Sequence, residues 1–178
     1  MIIFIGQAPY PSKTKRYYPK DNPYYQKNPM AFVTPEFSKN KNDSLTQLLE
    51  VFGISILDFE DDYPNSLIQW LKGQDIYMFN AYDDLHFIDI SEDLKSFFKA
   101  VKEGSIVSNP ADIKIVTWGK KAQRVLYELP VLDSKGVYRV QHPSGANGHF
   151  NSWKNGKNGD QFNSYKWLTS NVKLKRPL

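Results

Sequence analysis

The chain has no cysteine among its 178 residues. Disulfides, thiolate metal ligands and a cysteine nucleophile are therefore excluded. Only three histidines are present, His86, His142 and His149, too few and too scattered to read as a zinc site, so no metal is expected. No apolar run reaches the length that spans a bilayer, and Met1 leads straight into an apolar stretch without the basic region and cleavage site of a secretory leader. A soluble, intracellular chain, cytoplasmic and free of membrane, is the expectation. A glycine-rich G-x-G-x-x-G fingerprint is also missing, which speaks against a dinucleotide-type nucleotide binder. No internal repeat or low-complexity domain is evident.

The residues present suit one domain over residues 1–178, because 40% hydrophobic content at this length buries a proper core. The net charge of +4 says only that anionic partners are easier to meet than cationic ones. Its distribution says more. Ser12–Asn28 mixes Lys13, Lys15 and Arg16 with four tyrosines, a pairing that neutralises phosphates and stacks on unpaired bases. Taken alone, the same segment reads more simply as a solvated loop with its tyrosines packed on the body. Ser152–Asn163 is basic and rich in glycine and asparagine, and reads as a mobile surface loop, and the chain closes in the basic run KLKRPL.

Periodicity organises the rest. Ile2–Ile5, Ile76–Ala81, Ile113–Gly119 and the start of Val137–Gly145 read as strands. Between them, Leu45, Leu48, Leu49 and Phe52 repeat at helical spacing behind Asp43 and Ser44, and Gly53 marks an exit. Leu67, Trp70 and Leu71 suggest a second helix, Leu94, Phe97, Phe98 and Val101 behind Ser91 a third, and Lys120–Leu129 a fourth. Such alternation predicts an α/β chain: a three-layer α/β/α sandwich with a central four-stranded parallel sheet, whose ligands bind at the carboxyl ends of the strands. Three of the four strand exits, GQAPYPS, NAYDDL and HPSG, are polar and conformationally restricted. In the first, Gly6 permits a tight turn while Pro9 and Pro11 stiffen the loop beyond it, so that Gln7 and Tyr10 are held in set directions.

These exits, GQAPYP, FNAYDD and QHPSG, in this order and on these strands, resemble the signature motifs of the uracil-DNA glycosylase superfamily. AFVTP at Ala31–Pro35 resembles the family's stretch with the base-stacking phenylalanine, DSLTQLL its phosphate-contacting serine before a helix, and VTWGKKAQ its Trp-Gly strand exit. The resemblance spans most of the chain. It implies a uracil-DNA glycosylase-like fold and a monomeric, cofactor-independent enzyme that hydrolyses the N-glycosidic bond of a flipped-out base in single- or double-stranded DNA, leaving an abasic site. Phe32 is then the residue that stacks on the base, where its plainer role is core packing. Asn80 pairs with the O4 and N3–H edge of uracil, where its plainer role is a turn after the strand. His142 donates to O2 as charge develops there, against a merely structural histidine. Ser12, Ser44 and Ser144, with Gln7 and the amides near Gly6, become phosphate or base contacts, joined by Lys13, Lys15 and Arg16. Tyr10 matches the residue that excludes the thymine methyl group. No lysine in these motifs is placed to form a Schiff base, so strand cleavage is not expected.

Three departures qualify the resemblance. The family's water-activating aspartate corresponds to Ala8, and the glutamate that other branches carry one position earlier corresponds to Gln7. Asp83 and Asp84 are candidate replacements, although solvated turn carboxylates are the expected role for at least one of them. Losing a general base costs about 10² to 10⁴ in rate, whereas electrostatic stabilisation and positioning can persist. The segment from Tyr10 to Phe32 is longer than the family's loop, which suits a bulkier modified pyrimidine, while retention of Tyr10 suits uracil. After HPSG the family's leucine wedge is replaced by ANGHFNSW, where His149 and Phe150 are the nearest candidates. The alternative class is a catalytically weakened DNA-binding module in a replication or phage-defence complex.

Overall fold

The computed structural model describes residues 1–7, 30–83, 86–106, 112–129, 136–144, 148–155 and 165–177. Four strands, β1 (Ile2–Gly6), β2 (Ile76–Asn80), β3 (Lys114–Trp118) and β4 (Val137–Val140), form an all-parallel sheet in the order β2-β1-β3-β4. The two inner strands explain their own sequences. Flanked on both edges and covered on both faces, β1 is a continuous apolar run with Ile3, Phe4 and Ile5 fully buried. At the edge, β4 alternates instead, with Tyr138 and Val140 buried and Arg139 exposed.

Six α-helices accompany the sheet among the described residues: α1 (Ser44–Val51), α2 (Asn65–Gly73), α3 (Glu92–Lys102), α4 (Lys120–Glu128), α5 (Gly148–Lys154) and α6 (Tyr165–Asn171). Helix α3 shows why they form where they do. Leu94, Phe97, Phe98 and Val101 make a buried stripe, the Ser91 hydroxyl accepts the Leu94 N–H at 3.3 Å, and Glu92 and Asp93 meet the positive end of the helix dipole.

Side chains alternate across the sheet and thereby divide the helices. Tyr77 and Phe79 pack on Phe97 of α3, with ring centroids 5.1 and 4.8 Å apart. On the opposite face Phe4 stacks on Phe52, just beyond α1, at 5.8 Å, and Trp118 meets Phe150 of α5 at 6.5 Å. The connections β2→β3 and β3→β4 run the same way across the sheet, so right-handed crossovers put α4 on the α3 face; β1→β2 runs the other way, placing α1 and α2 opposite. Helices on both faces of the sheet make an α/β architecture of three layers. The buried apolar residues form one contiguous cluster. No described helix is long and apolar enough to cross a membrane.

The C-terminal region departs from expectation. Residues 148–154 are helical where a loop from Ser152 was expected, and α6 follows where no helix was expected. Residues 156–163 of that expected loop lie outside the described ones. The cause is burial: Phe150 is 0% and Trp153 1% exposed, and these two, one turn apart, present an apolar edge to Trp118 and to Tyr165 of α6. A residue so enclosed cannot insert into DNA, so Phe150 is a core residue and not a wedge. Its neighbour His149 is exposed.

This difference is measurable. Phe150→Ala should cost about 3–5 kcal/mol of unfolding free energy, and His149→Ala should stay within about 0.5 kcal/mol of the parent, both read from urea unfolding at constant slope. Equal, small losses would return Phe150 to the surface.

Candidate functional site

The strand order reverses between β1 and β3, and open parallel sheets bind ligands at the carboxyl ends of such a pair. A glycine stands at each of these two ends. A Cβ on Gly6 would lie 2.9 Å from Cζ of Phe32 and 3.3 Å from Cβ of Ala31. The Phe32 ring therefore rests directly on the β1 backbone. Ala31 N–H donates to the Met78 carbonyl at 3.3 Å, Phe32 takes φ +66°, and its ring stands edge-on to Trp118 at 6.5 Å.

Gly119, with φ +93°, follows β3. A Cβ there would collide with the Gln7 carboxamide and come 3.1 Å from Cβ of His142. Gln7 and His142 thus meet over the glycine. Strands β1 and β2 remain stitched past their ends, through Ala81 N–H to the Gly6 carbonyl at 2.9 Å and Tyr82 N–H to the Gln7 carbonyl at 3.1 Å, so the exits of both strands hold one geometry.

His142 comes from furthest away. Strands β2 and β4 are three spacings apart, about 14 Å, but the β3–β4 ladder continues through Gly119 N–H to the Val140 carbonyl at 2.8 Å, and His142, two residues further on, sits against Gly119. The imidazole then lies 6.3 Å from the Phe32 ring, centroid to centroid, at 51°. Burial pushes its pKa from 6.5 down to about 4, so the ring is neutral at pH 7. Ser144 N–H donates to Nδ1 at 3.3 Å, which leaves the proton on Nε2.

Asn80 ends β2 in register with Gly6 and is 3% exposed, on the same face as Met78. Gln7, Phe32, Asn80 and His142 therefore all belong to the carboxyl edge of the sheet. Together they offer an aromatic ring, two carboxamides and an uncharged imidazole, groups suited to a planar, neutral heterocycle with both donors and acceptors. Asp83 is engaged elsewhere, since its Oδ1 accepts the Glu92 N–H at 3.3 Å at the start of α3 and its own N–H donates to the Asp89 carbonyl. Ser44 opens α1 and is half-buried. Ser144 contributes its backbone N–H to His142. Ala8, Tyr10, Ser12, Lys13, Lys15, Arg16 and Asp84 lie outside the described residues. Among the described residues no cluster of three or more histidine or carboxylate side chains gathers as a metal site.

The same edge holds features that no sequence pattern announced. One is the space at Gly119, for which the signal was the glycine itself after a strand. Another is a cavity of about 340 Å³ that shares Phe32 and is lined also by Thr34, Glu36, Phe37, Ser38 and Tyr63 and by the start of α1. No periodicity marks those residues, since they lie in irregular chain. No protein-family model matches this chain, and no curated protein or solved structure is significantly similar to it.

The buried imidazole makes stability depend on pH with a definite sign. Between about pH 6.5 and 4 the unfolded chain protonates this histidine while the folded chain does not, so unfolding free energy falls as pH falls across that window. The total is about 2–3 kcal/mol. In urea titrations the slope across this window should be steeper for the parent than for His142→Gln; parallel slopes would place the imidazole in solvent.

Proposed function

We propose that this protein is a monofunctional DNA glycosylase of the uracil-DNA glycosylase type, acting as a monomer on uracil or a modified pyrimidine. The observation that carries the reading is the meeting of Phe32, Gln7 and a neutral His142 over two strand-end glycines, with Asn80 on the adjoining strand. In this reading a base flipped from DNA stacks on Phe32, and the Asn80 carboxamide accepts from N3–H and donates to O4. Water adds to the sugar carbon, the N-glycosidic bond breaks, and its electron pair passes to the base. The Nε2–H of His142 stabilises the charge arriving at O2; a neutral imidazole donates without first giving up a proton to solvent. The water's proton leaves to solvent. No step requires a cofactor.

Water activation is where the enzyme would be weak. Position 8 carries no carboxylate, and Asp83 is engaged at the start of α3. Gln7 supplies a carboxamide, which orients water but does not take its proton. That same deficit favours a second reading, a DNA-binding module with the pocket retained and chemistry reduced, serving a replication or phage-defence complex. Repair is the process that fits the first reading.

Oligonucleotides carrying uracil, hydroxymethylated or glucosylated pyrimidines, followed by alkaline cleavage at abasic sites, test the proposal. Base release should occur with at least one of them, and Asn80→Ala and His142→Ala should each lower its rate about 10² to 10³-fold while leaving the fold intact. Binding without release on every substrate would favour the second reading. Unchanged rates in both variants would remove these residues from the chemistry.

Ala8→Asp addresses the missing base directly. If the first loop has the geometry the motif implies, single-turnover uracil excision should rise, recovering part of the 10² to 10⁴ that a general base contributes. No gain, with uracil DNA still bound, would mean that water is positioned by another residue.

A further inference from the structure

The cavity beside Phe32 has a chemistry unlike that of a phosphate site. Its volume of about 340 Å³ lies within the range of small-molecule pockets, about 300–1,000 Å³. Its walls bring two carboxylates, Glu36 and Asp43, and four hydroxyls, from Thr34, Ser38, Thr46 and Tyr63, around the aromatic surfaces of Phe32 and Phe37. Among the described residues that line it there is no lysine or arginine. In a chain of net charge +4, a pocket with only acidic charges repels the DNA backbone and accepts a neutral or cationic group.

The polar groups are set by the backbone. Tyr63 Oη accepts the Thr34 N–H at 3.3 Å, the Thr34 hydroxyl donates to the Glu36 carbonyl at 2.9 Å, and Ser38 Oγ accepts the Asn40 N–H at 3.2 Å. Phe37 stands edge-on to Tyr63 at 5.5 Å. Hydroxyls of Thr34, Ser38 and Tyr63 held in this way, with two carboxylates and two aromatic rings in the same lining, suit a compact group that carries several hydroxyl or amino donors and an apolar face.

Phe32 belongs both to this cavity and to the ring cluster with His142. We infer that the cavity is a substituent subsite: the base that stacks on Phe32 carries an uncharged, hydroxyl-rich group, of the hydroxymethyl or glycosyl class, which occupies it. The inference rests on the glycosylase reading and selects between its two substrate classes, modified pyrimidine over unmodified uracil. A base without such a substituent leaves the cavity to water and gains none of these contacts, so the substituted base is held more tightly.

Release of a glycosylated hydroxymethylpyrimidine and of uracil from otherwise identical oligonucleotides is compared, in the parent protein and in Ser38→Phe and Asp43→Asn. Ser38 is half-buried in irregular chain, so the larger ring fills the cavity without entering the main core. The parent should favour the glycosylated base by about 10²-fold in kcat/KM. Ser38→Phe should reduce that preference at least tenfold with uracil release unchanged, and Asp43→Asn should reduce it without filling the space. Preference for uracil, or equal loss on both substrates, overturns the inference. A separate arm titrates the free glycosylated nucleoside while following tryptophan fluorescence. Saturable binding by the parent and not by Ser38→Phe, with neither base released, upholds the subsite and removes the glycosylase reading. Absence of both binding and release overturns the subsite as well.

Discussion

Everything at the carboxyl edge of the sheet depends on space where two Cβ atoms would be. Gly6 and Gly119 end adjacent parallel strands, and each is overlain by a side chain from elsewhere: Phe32 on the first, Gln7 and His142 on the second. A parallel sheet covered on both faces offers a ligand only its edges, so the approach of side chains to backbone there decides what a pocket contains. Alanine at Gly119 would suffer twice, through the clash and through φ +93°, a conformation costing a residue with a Cβ about 1–3 kcal/mol. The glycines are thus part of the site, although neither has a side chain to contribute.

Charge is divided between surface and interior. The chain carries a net charge of +4, whereas the ring cluster of Phe32, Trp118 and His142 holds no charged group among the described residues. His142 is uncharged because its surroundings penalise the imidazolium, and its orientation follows from a backbone N–H two residues away. The burial that keeps the ring neutral also leaves it a single N–H, on Nε2.

Asp83 illustrates how position along a motif and role can separate. It follows Asn80 by three residues, close enough to be a candidate base, but its carboxylate is directed to the first turn of α3. Helices begin with unpartnered N–H groups, and the bridge between Tyr82 and Ile90 brings the aspartate next to one of them. Phe150 separates in the same way. In the sequence it sits where a DNA wedge belongs; in the fold it fills the space beneath Trp118.

The strands, the helices α1 to α4 and the three polar strand exits were legible in the sequence because each rests on local rules: apolar period, capping residues and the breaks made by glycine and proline. Asn80 and His142 could be singled out for the same reason, as polar residues just beyond predicted strands. Tertiary structure alone decided which of these residues meet. Gln7 and Gly119 are far apart in the chain and adjacent in space because β1 and β3 pair; α5 and α6 exist because Phe150, Trp153 and Tyr165 find a surface to cover. Burial is a property of surroundings, and these surroundings come from segments more than a hundred residues away, as with Tyr165 and the Val51 carbonyl at 2.9 Å. The cavity beside Phe32 had no signature for the same reason: its walls come from irregular chain and helix ends, whose positions only the packed sheet and helices determine.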